Sequence, residues 1–287
     1  MKGIILAGGS GTRLFPLTSV ISKQLLPVYN KPMIYYSIST LMLAGIRDIL
    51  VICDPEELER FRRLLGDGSR LGLNVTYETQ DKPRGIAEAL IIGEHFVGSS
   101  RFCLVLGDNI FWGQGLTPLL EKASSKPEGA TIFGYRVGDP SRFGIVELDV
   151  EGNPKSIKEK PVHPKGNIAI TGLYFFDEKA LKYAKEISPS ERGELEITSV
   201  LEKYLEKGSI NVEVLGRGYA WLDAGTHDSL LEASLFVETI EKRQGFKIAC
   251  IEEISLSKGW LEPEGILANE NLYRKSKYGE YVLSLVK

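Results

Sequence analysis

The sequence predicts an α/β fold: a Rossmann-like, mixed and mainly parallel sheet flanked by helices and followed by a C-terminal helical extension. Short apolar runs alternate with helical patterns through the first half of the chain, which is typical of strand–helix–strand units. The first apolar run leads directly into a glycine-rich turn. Of the 287 residues, 43% are hydrophobic and 25% are charged, as in an ordinary globular protein.

The first half divides into alternating elements. The patterns predict a strand at 4–7 and then a helix over 33–44, which Gly45 ends because glycine commonly follows the last helical turn. In an open sheet of this kind, ligands bind beyond the carboxyl ends of the strands. The turn at 8–13 and Gly107-Asp108-Asn109 both fall there. The remaining elements are a strand at 49–53, a helix over 56–65, a strand at 74–78, a helix over 86–96 and a strand at 102–106.

The second half has shorter strands and is interpreted as a substrate-binding lobe on the same sheet. A helix is predicted from Thr226 toward Arg243, with Thr226 as its N-cap. More helix is expected in the segment that follows. The other predicted elements are strands at 130–137, 144–148, 169–176 and 211–214 and helices over 178–184 and 197–206.

Composition and charge exclude several classes of protein. The formal net charge of −3 argues against a protein that binds nucleic acid through bulk electrostatics. The apolar runs are too short for a membrane span or a signal-peptide core, so we expect a cytoplasmic protein with no membrane association. Cys53, Cys103 and Cys250 lie in apolar runs without metal-site spacing and are expected to be buried and unpaired.

The glycine-rich turn that ends in Arg13 is predicted to bind phosphate. Glycines allow positive φ and close approach of a ligand, and successive backbone N–H groups form an anion site. The turn is not a P-loop, because no Gly-Lys-Ser/Thr follows it. It is not a dinucleotide fingerprint either, because Leu14 stands where the third glycine should be, and this argues against a dehydrogenase.

The segments around this turn form a more specific pattern. The chain reads Leu-Ala-Gly-Gly-x-Gly-Thr-Arg-Leu at 6–14, Pro-Leu-Thr at 16–18, Ser-Lys-x-Leu-Leu-Pro at 22–27 and Lys-Pro-Met-Ile at 31–34. With this combination it resembles the sugar-1-phosphate nucleotidyltransferases over nearly its whole length. The resemblance implies a nucleotidyltransferase domain over 1–240, with a nucleotide-binding half at about 1–110 and a sugar-binding half at about 111–240. Residues 241–287 would be a helical extension packed on the same domain.

The implied reaction uses dTTP and α-D-glucose 1-phosphate as substrates. It transfers a deoxythymidylyl group to the sugar phosphate by a single in-line displacement and releases pyrophosphate. Two alternatives stay open from the sequence: a uridylyltransferase that uses UTP, and a non-catalytic nucleotide-sugar sensor or regulatory subunit. Thymine and uracil differ by one methyl group, which contributes only about 1 to 3 kcal/mol in a pocket.

Two aspartates are candidate ligands of Mg²⁺. Asp108 follows a predicted strand, and a carboxylate in that place suits a hard cation, although aspartate is also frequent in ordinary turns. The resemblance implies Asp223 as the second ligand; the alternative is that it caps the following helix. This chain has Ala224 where family members usually have threonine.

Three cations complete the implied catalytic set: Arg13, Lys23 and Lys160. An isolated lysine is usually a solvated surface residue, but Lys23 lies in an apolar segment. The resemblance assigns the sugar hydroxyls to Glu159 and the sugar phosphate to Lys160. Neighbours on a strand point to opposite faces, so the turn at Pro161 is expected to distort the backbone there.

The resemblance also implies two binding subsites. An amide such as that of Gln80 can pair with a donor and an acceptor on a pyrimidine edge, and Gly85 would let the base approach the backbone. The implied nucleotide-binding residues are Gly8, Gly9, Gly11, Thr12, Arg13, Lys23, Gln24, Gln80, Gly85 and Asp108. The implied sugar-phosphate-binding residues are Asn109, Phe143, Gly144, Glu159, Lys160, Ile170 and Thr171. Many relatives have tyrosine in place of Phe143.

Assembly and regulation follow from the resemblance alone. It implies a homotetramer and feedback inhibition by dTDP-rhamnose at a second site. Arg217, Gly218 and residues 243–245 are the candidates for that site.

Overall fold

The computed structural model of the protein describes residues 1–9 and 11–287. Its strands are β1 Lys2–Ala7, β2 Pro27–Val28, β3 Lys31–Pro32, β4 Asp48–Cys53, β5 Asn74–Thr79, β6 Phe102–Leu106, β7 Asn109–Gly113, β8 Ala130–Arg136, β9 Ile145–Leu148, β10 Pro154–Lys158, β11 Ile168–Phe176, β12 Ile210–Leu215 and β13 Tyr219–Asp223.

The helices of the described part of the chain cover both faces of the sheet and form the C-terminal region. They are α1 Ile34–Leu43, α2 Leu58–Leu65, α3 Glu88–Ile92, α4 Glu94–Val97, α5 Leu116–Ser125, α6 Lys179–Glu186, α7 Ile197–Glu206, α8 His227–Gln244, α9 Ile251–Ser257, α10 Pro263–Leu267, α11 Glu270–Tyr273 and α12 Lys277–Ser284. Short 3-10 helices occupy Thr12–Leu14, Leu17–Ser19, Lys23–Leu25, Pro55–Glu57, Ser69–Leu71 and Pro140–Arg142.

The described residues form a nine-stranded mixed sheet. Its path runs β10-β9-β11-β6-β1-β4-β5, and β8 pairs with both β11 and β12. Strand β1 lies between β4 and β6 and is parallel to both, with Leu6 opposite Leu106. Strand β11 joins the other side of β6 in the antiparallel direction. The predicted α/β fold with a mixed sheet is confirmed, and the carboxyl ends of β1 and β6 meet at one edge.

Alternate side chains of the central strands enter two apolar layers. Ile5 of β1 and Val105 of β6 pack in the layer that contains α1. Ile4 and Leu104 pack in the opposite layer, with residues of α3, α6 and α7. Helices on both faces bury the sheet from both sides, so every residue of β11 is buried.

Most of the predicted elements are confirmed to within a few residues. The exception is the predicted helix at 86–96, which is two helices, α3 and α4, joined at Gly93. Glycine interrupts helices because of its backbone freedom, and a Cβ at this position would lie 2.7 Å from Ile4 Cδ1. The sequence analysis did not predict β7, α5, β10 or β13. Strands β7 and β13 form a separate antiparallel ribbon.

The C-terminal helices begin at the predicted cap. Thr226 Oγ1 accepts a hydrogen bond from Ser229 N at 3.2 Å in a capping box, which confirms Thr226 as the N-cap of α8. Further along, Ser255 of α9 donates to the backbone oxygen of Leu71 at 2.5 Å. The C-terminal region therefore contacts the first half of the chain. The division of the chain at residue 240 stays a prediction.

Two smaller predictions concern membranes and cysteines. Among the described helices, none combines the length and the apolar character needed to cross a bilayer. The cytoplasmic location stays a prediction. The three cysteines are buried and unpaired, as predicted.

A buried charge network joins α8 to the N-terminal region. Glu241 accepts from Lys31 Nζ at 3.1 Å, from Asn30 Nδ2 at 2.7 Å, from Lys247 Nζ at 2.9 Å and from Ile248 N at 3.1 Å. Burial lowers the pKa of Lys31, and the Glu241 carboxylate opposes that shift. The pair holds a lysine charge where water does not reach it.

We expect Glu241→Ala to lower the free energy of unfolding by about 3 to 5 kcal/mol, because it leaves the Lys31 charge buried without a partner. Chemical denaturation measures this directly. The matched control is Glu238→Ala on the same helix, which removes the more exposed pair with Lys242 and should cost less than about 1 kcal/mol. Equal losses in the two variants would contradict the assigned role of the network.

Candidate active site

A cavity of about 560 Å³ lies at the carboxyl ends of β1 and β6. Most of the predicted site residues line it: Gly8, Gly9, Arg13, Lys23, Gln24, Gln80, Gly85, Asp108, Asn109, Phe143, Gly144, Glu159, Lys160, Ile170 and Asp223. The structure does not bring Gly11, Thr12 or Thr171 to the wall of the cavity. Thr171 is fully buried. The functional roles of all these residues stay predictions.

The glycine-rich turn is held in place by its own continuation. Gly11 has a left-handed φ of 57°, and its backbone oxygen accepts a hydrogen bond from Thr18 Oγ1 at 2.8 Å. A Cβ at Gly11 would lie 2.8 Å from Thr18 Cγ2, so a larger residue does not fit there. Ser10 lies outside the described residues. Gly11 therefore shapes the turn from behind, while Gly8 and Gly9 face the cavity.

Asp108 is a buried, ionised carboxylate at the end of β6. Lys23 Nζ donates to Asp108 Oδ2, and Asn109 Nδ2 donates to Asp108 Oδ1 at 3.0 Å. Burial alone would raise the pKa of Asp108. The Lys23 charge and the two hydrogen bonds outweigh burial and hold that pKa below its usual range.

Asp223 is the second carboxylate and lies beside the first. The β7–β13 ribbon places it opposite Asn109, and Ala224 N donates to the backbone oxygen of Asp108 at 3.2 Å. Burial and the charge of Asp108 raise the pKa of Asp223. The cations of Arg13, Lys23 and Arg142 offset only part of that rise. The two aspartates are thus an incompletely neutralised pair.

Arg13 stands next to this pair. A Cβ at Gly225 would lie 2.8 Å from Arg13 Nη2 and 2.9 Å from Asp223 Oδ1, so both groups approach the same glycine. Only a residue without a side chain leaves room for them. Gly225 therefore allows the guanidinium of the first loop to reach the second aspartate.

Asn109 supports Asp108 from inside the protein. Its Oδ1 accepts hydrogen bonds from Gly172 N at 3.0 Å and from Trp221 Nε1 at 2.6 Å. Because its oxygen is turned toward these two donors, its amide nitrogen must face Asp108. Trp221, which the sequence analysis did not select, therefore fixes the orientation of Asn109.

Glu159 and Lys160 both line the cavity although they are neighbours in sequence. Lys160 has a left-handed φ of 35°, so the backbone distortion predicted before Pro161 is present. Glu159 accepts from Arg192 Nη2 and from Thr198 Oγ1, each at 3.2 Å. Burial and the charge of Glu196 raise the pKa of Glu159.

Gln24 and Gly85 face the cavity, yet each also has a structural role. The Gln24 amide donates to Gly8 O at 3.2 Å and accepts from Ser22 Oγ at 2.5 Å. Gly85 has a φ of 109°, and a Cβ there would lie 2.4 Å from the backbone oxygen of Leu195. Close packing against Leu195 therefore requires glycine at 85 whether or not a base approaches it.

Other lining residues were missed by the sequence analysis. Arg142 lies over the Phe143 ring at 5.6 Å, and Phe143 packs on Trp221 with ring centroids 5.1 Å apart. A single residue of a short 3-10 helix, such as Arg142, has no local sequence pattern that marks it as part of a site. The full set of missed lining residues is Leu6, Pro83, Ile86, Leu106, Arg142, Glu194 and Trp221.

The arrangement suits a polyanion bound together with a divalent cation. Two adjacent carboxylates supply oxygen ligands, and arginine and lysine side chains surround them. Among the described residues that line the cavity there is no cysteine, serine or histidine. Fold and site together are therefore those of an α/β protein that binds phosphorylated ligands at the carboxyl edge of its sheet.

A sequence model of the Nucleotidyl transferase family matches residues 2–240, and the chain belongs to this family. A glucose-1-phosphate thymidylyltransferase of Neisseria gonorrhoeae is 56% identical over 286 residues, which cover 100% of this chain and 99% of that protein. These matches confirm the family resemblance that the N-terminal segments predict.

Solved structures give the same fold. A crystal structure from Bacillus anthracis, described as a candidate glucose-1-phosphate thymidylyltransferase in complex with sucrose, has 43% identity and a TM-score of 0.77, and the match covers 82% of this chain and 94% of that chain. A UDP-glucose pyrophosphorylase complexed with UDP-glucose has a TM-score of 0.72 at 23% identity, with 85% and 99% covered. The second likeness concerns the fold alone.

We expect Asp223→Asn to raise the free energy of unfolding at about pH 7 in the presence of a chelator. A carboxyl group whose pKa is raised in the folded state lowers the free energy of unfolding when the pH is above the ordinary carboxyl pKa of about 4. This effect is absent at about pH 3, where the group is protonated in both states. Denaturant titrations at the two pH values measure the difference.

The control has the opposite sign. Hydrogen bonds from the Asn153 backbone and side chain lower the pKa of Asp149, so Asp149→Asn should destabilise the protein at about pH 7. An Asp223→Asn variant that is less stable than the wild type at neutral pH would contradict the assigned repulsion between the two aspartates.

Proposed function

We propose that the protein transfers a deoxythymidylyl group from dTTP to α-D-glucose 1-phosphate and so forms dTDP-glucose and pyrophosphate. The observation that carries the proposal is the position of Arg13 and Lys23 beside the Asp108–Asp223 pair, in a cavity that Lys160 also lines. Relatives named glucose-1-phosphate thymidylyltransferase match the chain over its full length, including one from Mycobacterium tuberculosis at 53% identity.

The reaction is a single in-line displacement. An oxygen of the sugar's phosphate attacks the α-phosphorus of dTTP and forms a new P–O bond. The bond from the α-phosphorus to the bridging oxygen breaks, and pyrophosphate leaves with the electron pair. Because every participant is a polyanion, most of the catalysis must come from positioning and from charge neutralisation.

Different residues of the chain position the substrates and neutralise their charge. Arg13 and Lys23 neutralise the triphosphate and the departing pyrophosphate. Lys160 holds the phosphate of the sugar, and Glu159 accepts hydrogen bonds from the sugar hydroxyls. The backbone of the glycine turn at Gly8 and Gly9 supplies N–H groups for phosphate oxygens.

Asp108 and Asp223 fit Mg²⁺ as the cofactor. The raised pKa of Asp223 marks an excess of negative charge that a cation would balance. Within residues 1–9 and 11–287 no group of three or more metal-binding side chains occurs, which suits an ion that needs only one or two carboxylates. When bound, Mg²⁺ supplies positive charge against the phosphate oxygens.

Pyrophosphate release with a matrix of nucleoside triphosphates and sugar 1-phosphates tests the proposed function. We expect the highest kcat/KM with dTTP and glucose 1-phosphate, and a preference over UTP of about tenfold, as one methyl contact provides. A higher kcat/KM with UTP would make the protein a uridylyltransferase. Nucleotide binding without turnover of any pair would make it a sensor.

Arg13→Ala should lower kcat by about 10² to 10³, the effect of losing one preorganised charge-stabilising donor. The matched control is Arg62→Ala, a surface arginine of α2 that pairs with Glu59 and lies outside the cavity. Steady-state rates of the two variants are compared at saturating substrates. A loss of less than about tenfold in Arg13→Ala would remove the assigned catalytic role.

Assembly and regulation are part of the same proposal. We propose a homotetramer in the cytoplasm with feedback inhibition by dTDP-rhamnose. Gly218 lies in a turn before β13, and residues 243–245 form the C-terminal end of α8. Sedimentation that gives a monomer, or a rate unaffected by dTDP-rhamnose, would contradict the respective statement.

A further inference from the structure

A buried carboxylate lies behind the glutamine that is proposed to read the base. Glu88, in the first turn of α3, is 8% exposed, and Gln80 is 6% exposed. Gln80 Nε2 donates to Glu88 Oε2 at 2.7 Å, and Arg84 Nε donates to Glu88 Oε1 at 2.6 Å. Neither Glu88 nor Arg84 is used by the proposed chemistry.

The carboxylate determines which way the glutamine amide points. Glu88 forms an ion pair with the Arg84 guanidinium, and a carboxylate in such a pair only accepts hydrogen bonds. The amide nitrogen of Gln80 must therefore face Glu88, and it also lies 3.3 Å from the backbone oxygen of Gly85. Both N–H groups of this amide thus have acceptors inside the protein.

The amide oxygen of Gln80 is left to face the cavity. A Cβ at Gly8 would lie 3.1 Å from Gln80 Oε1, and both residues line the cavity. Without a fixed neighbour, a glutamine amide can turn over and offer either a donor or an acceptor to a ligand. Glu88 holds the Gln80 amide in one orientation, so Gln80 presents only its acceptor oxygen Oε1 to the cavity.

We propose that Glu88 is a positioning residue that selects the base through Gln80. An acceptor at this point favours a base whose ring nitrogen carries a proton, as N3 does in thymine and uracil. It disfavours cytosine, whose N3 is itself an acceptor. The inference rests on the proposed function, because it takes Gln80 as the contact to the base of the nucleoside triphosphate.

The test is the ratio of kcat/KM for dTTP to kcat/KM for dCTP. In Glu88→Gln the new amide can donate to Gln80 Oε1, so the Gln80 amide can turn over. We expect the ratio to fall by about tenfold to a hundredfold, through a gain with dCTP and a higher KM for dTTP, while kcat with dTTP changes little. A general structural defect would lower both kcat/KM values together and leave the ratio unchanged.

Two further variants make the result specific. Asp81→Asn removes the other carboxylate partner of Arg84, an exposed group that is not an acceptor of the Gln80 amide, so the ratio should stay at the wild-type value. Glu88→Asp keeps an acceptor-only side chain and should retain most of the preference for dTTP. If Glu88→Gln does not fold, Glu88→Met replaces it, since methionine is of similar length, offers the Gln80 amide no oxygen acceptor and should also lower the ratio.

The outcomes separate this inference from the proposed function. If the wild type turns over no nucleotide, calorimetric binding of dTDP and dCDP supplies the same ratio, and the reaction alone is refuted. A ratio unchanged within about threefold in Glu88→Gln, or in Glu88→Met where it is the variant that folds, would overturn the role of Glu88. A wild type that does not distinguish thymine from cytosine would overturn it as well.

Discussion

The arrangement of the site depends on one electrostatic constraint: two carboxylates, Asp108 and Asp223, lie side by side in a partly desolvated position. Like charges so placed must be balanced, and the chain does this unequally. Lys23 is bound to Asp108 and keeps its pKa low, whereas Asp223 keeps a raised pKa despite the cations near it. The cations therefore neutralise the pair only in part, and the remaining negative charge can bind a metal cation.

The fold serves this constraint with parts that are distant in sequence. The parallel pairing of β1 and β6 brings the glycine turn and Asp108 to one edge, and the β7–β13 ribbon adds Asp223. Asn109 of β7 then orients Asp108 by a hydrogen bond, and Trp221 of β13 holds Asn109 by another. Rigid elements, rather than the loops alone, set the distances between the charged groups. This explains how like-charged substrates could be brought together in one cavity.

The sequence predicts the parts of this site that have local signals. The strands next to the glycine turn and Asp108 have the continuous apolar runs of buried strands, and Thr226 is a residue type that is preferred at an N-cap. The ribbon of β7 and β13 could not be predicted, because its pairing joins segments about a hundred residues apart that have no alternating pattern. The same pairing places Trp221 at the site, whereas Arg142 and Glu88 have partners that are set by tertiary packing and carry no local sequence signal. Gly85 was given a ligand contact, whereas packing against Leu195 already requires it.

In the proposed reaction the nucleotidyl group passes directly from one phosphate to the other, without a covalent intermediate on the protein. Exchange of labelled pyrophosphate into dTTP tests it most directly. We expect no exchange when the enzyme and Mg²⁺ are incubated with dTTP and labelled pyrophosphate alone, and rapid exchange once glucose 1-phosphate or dTDP-glucose is added. Rapid exchange in the absence of any sugar phosphate would show a nucleotidyl-enzyme intermediate and contradict direct transfer.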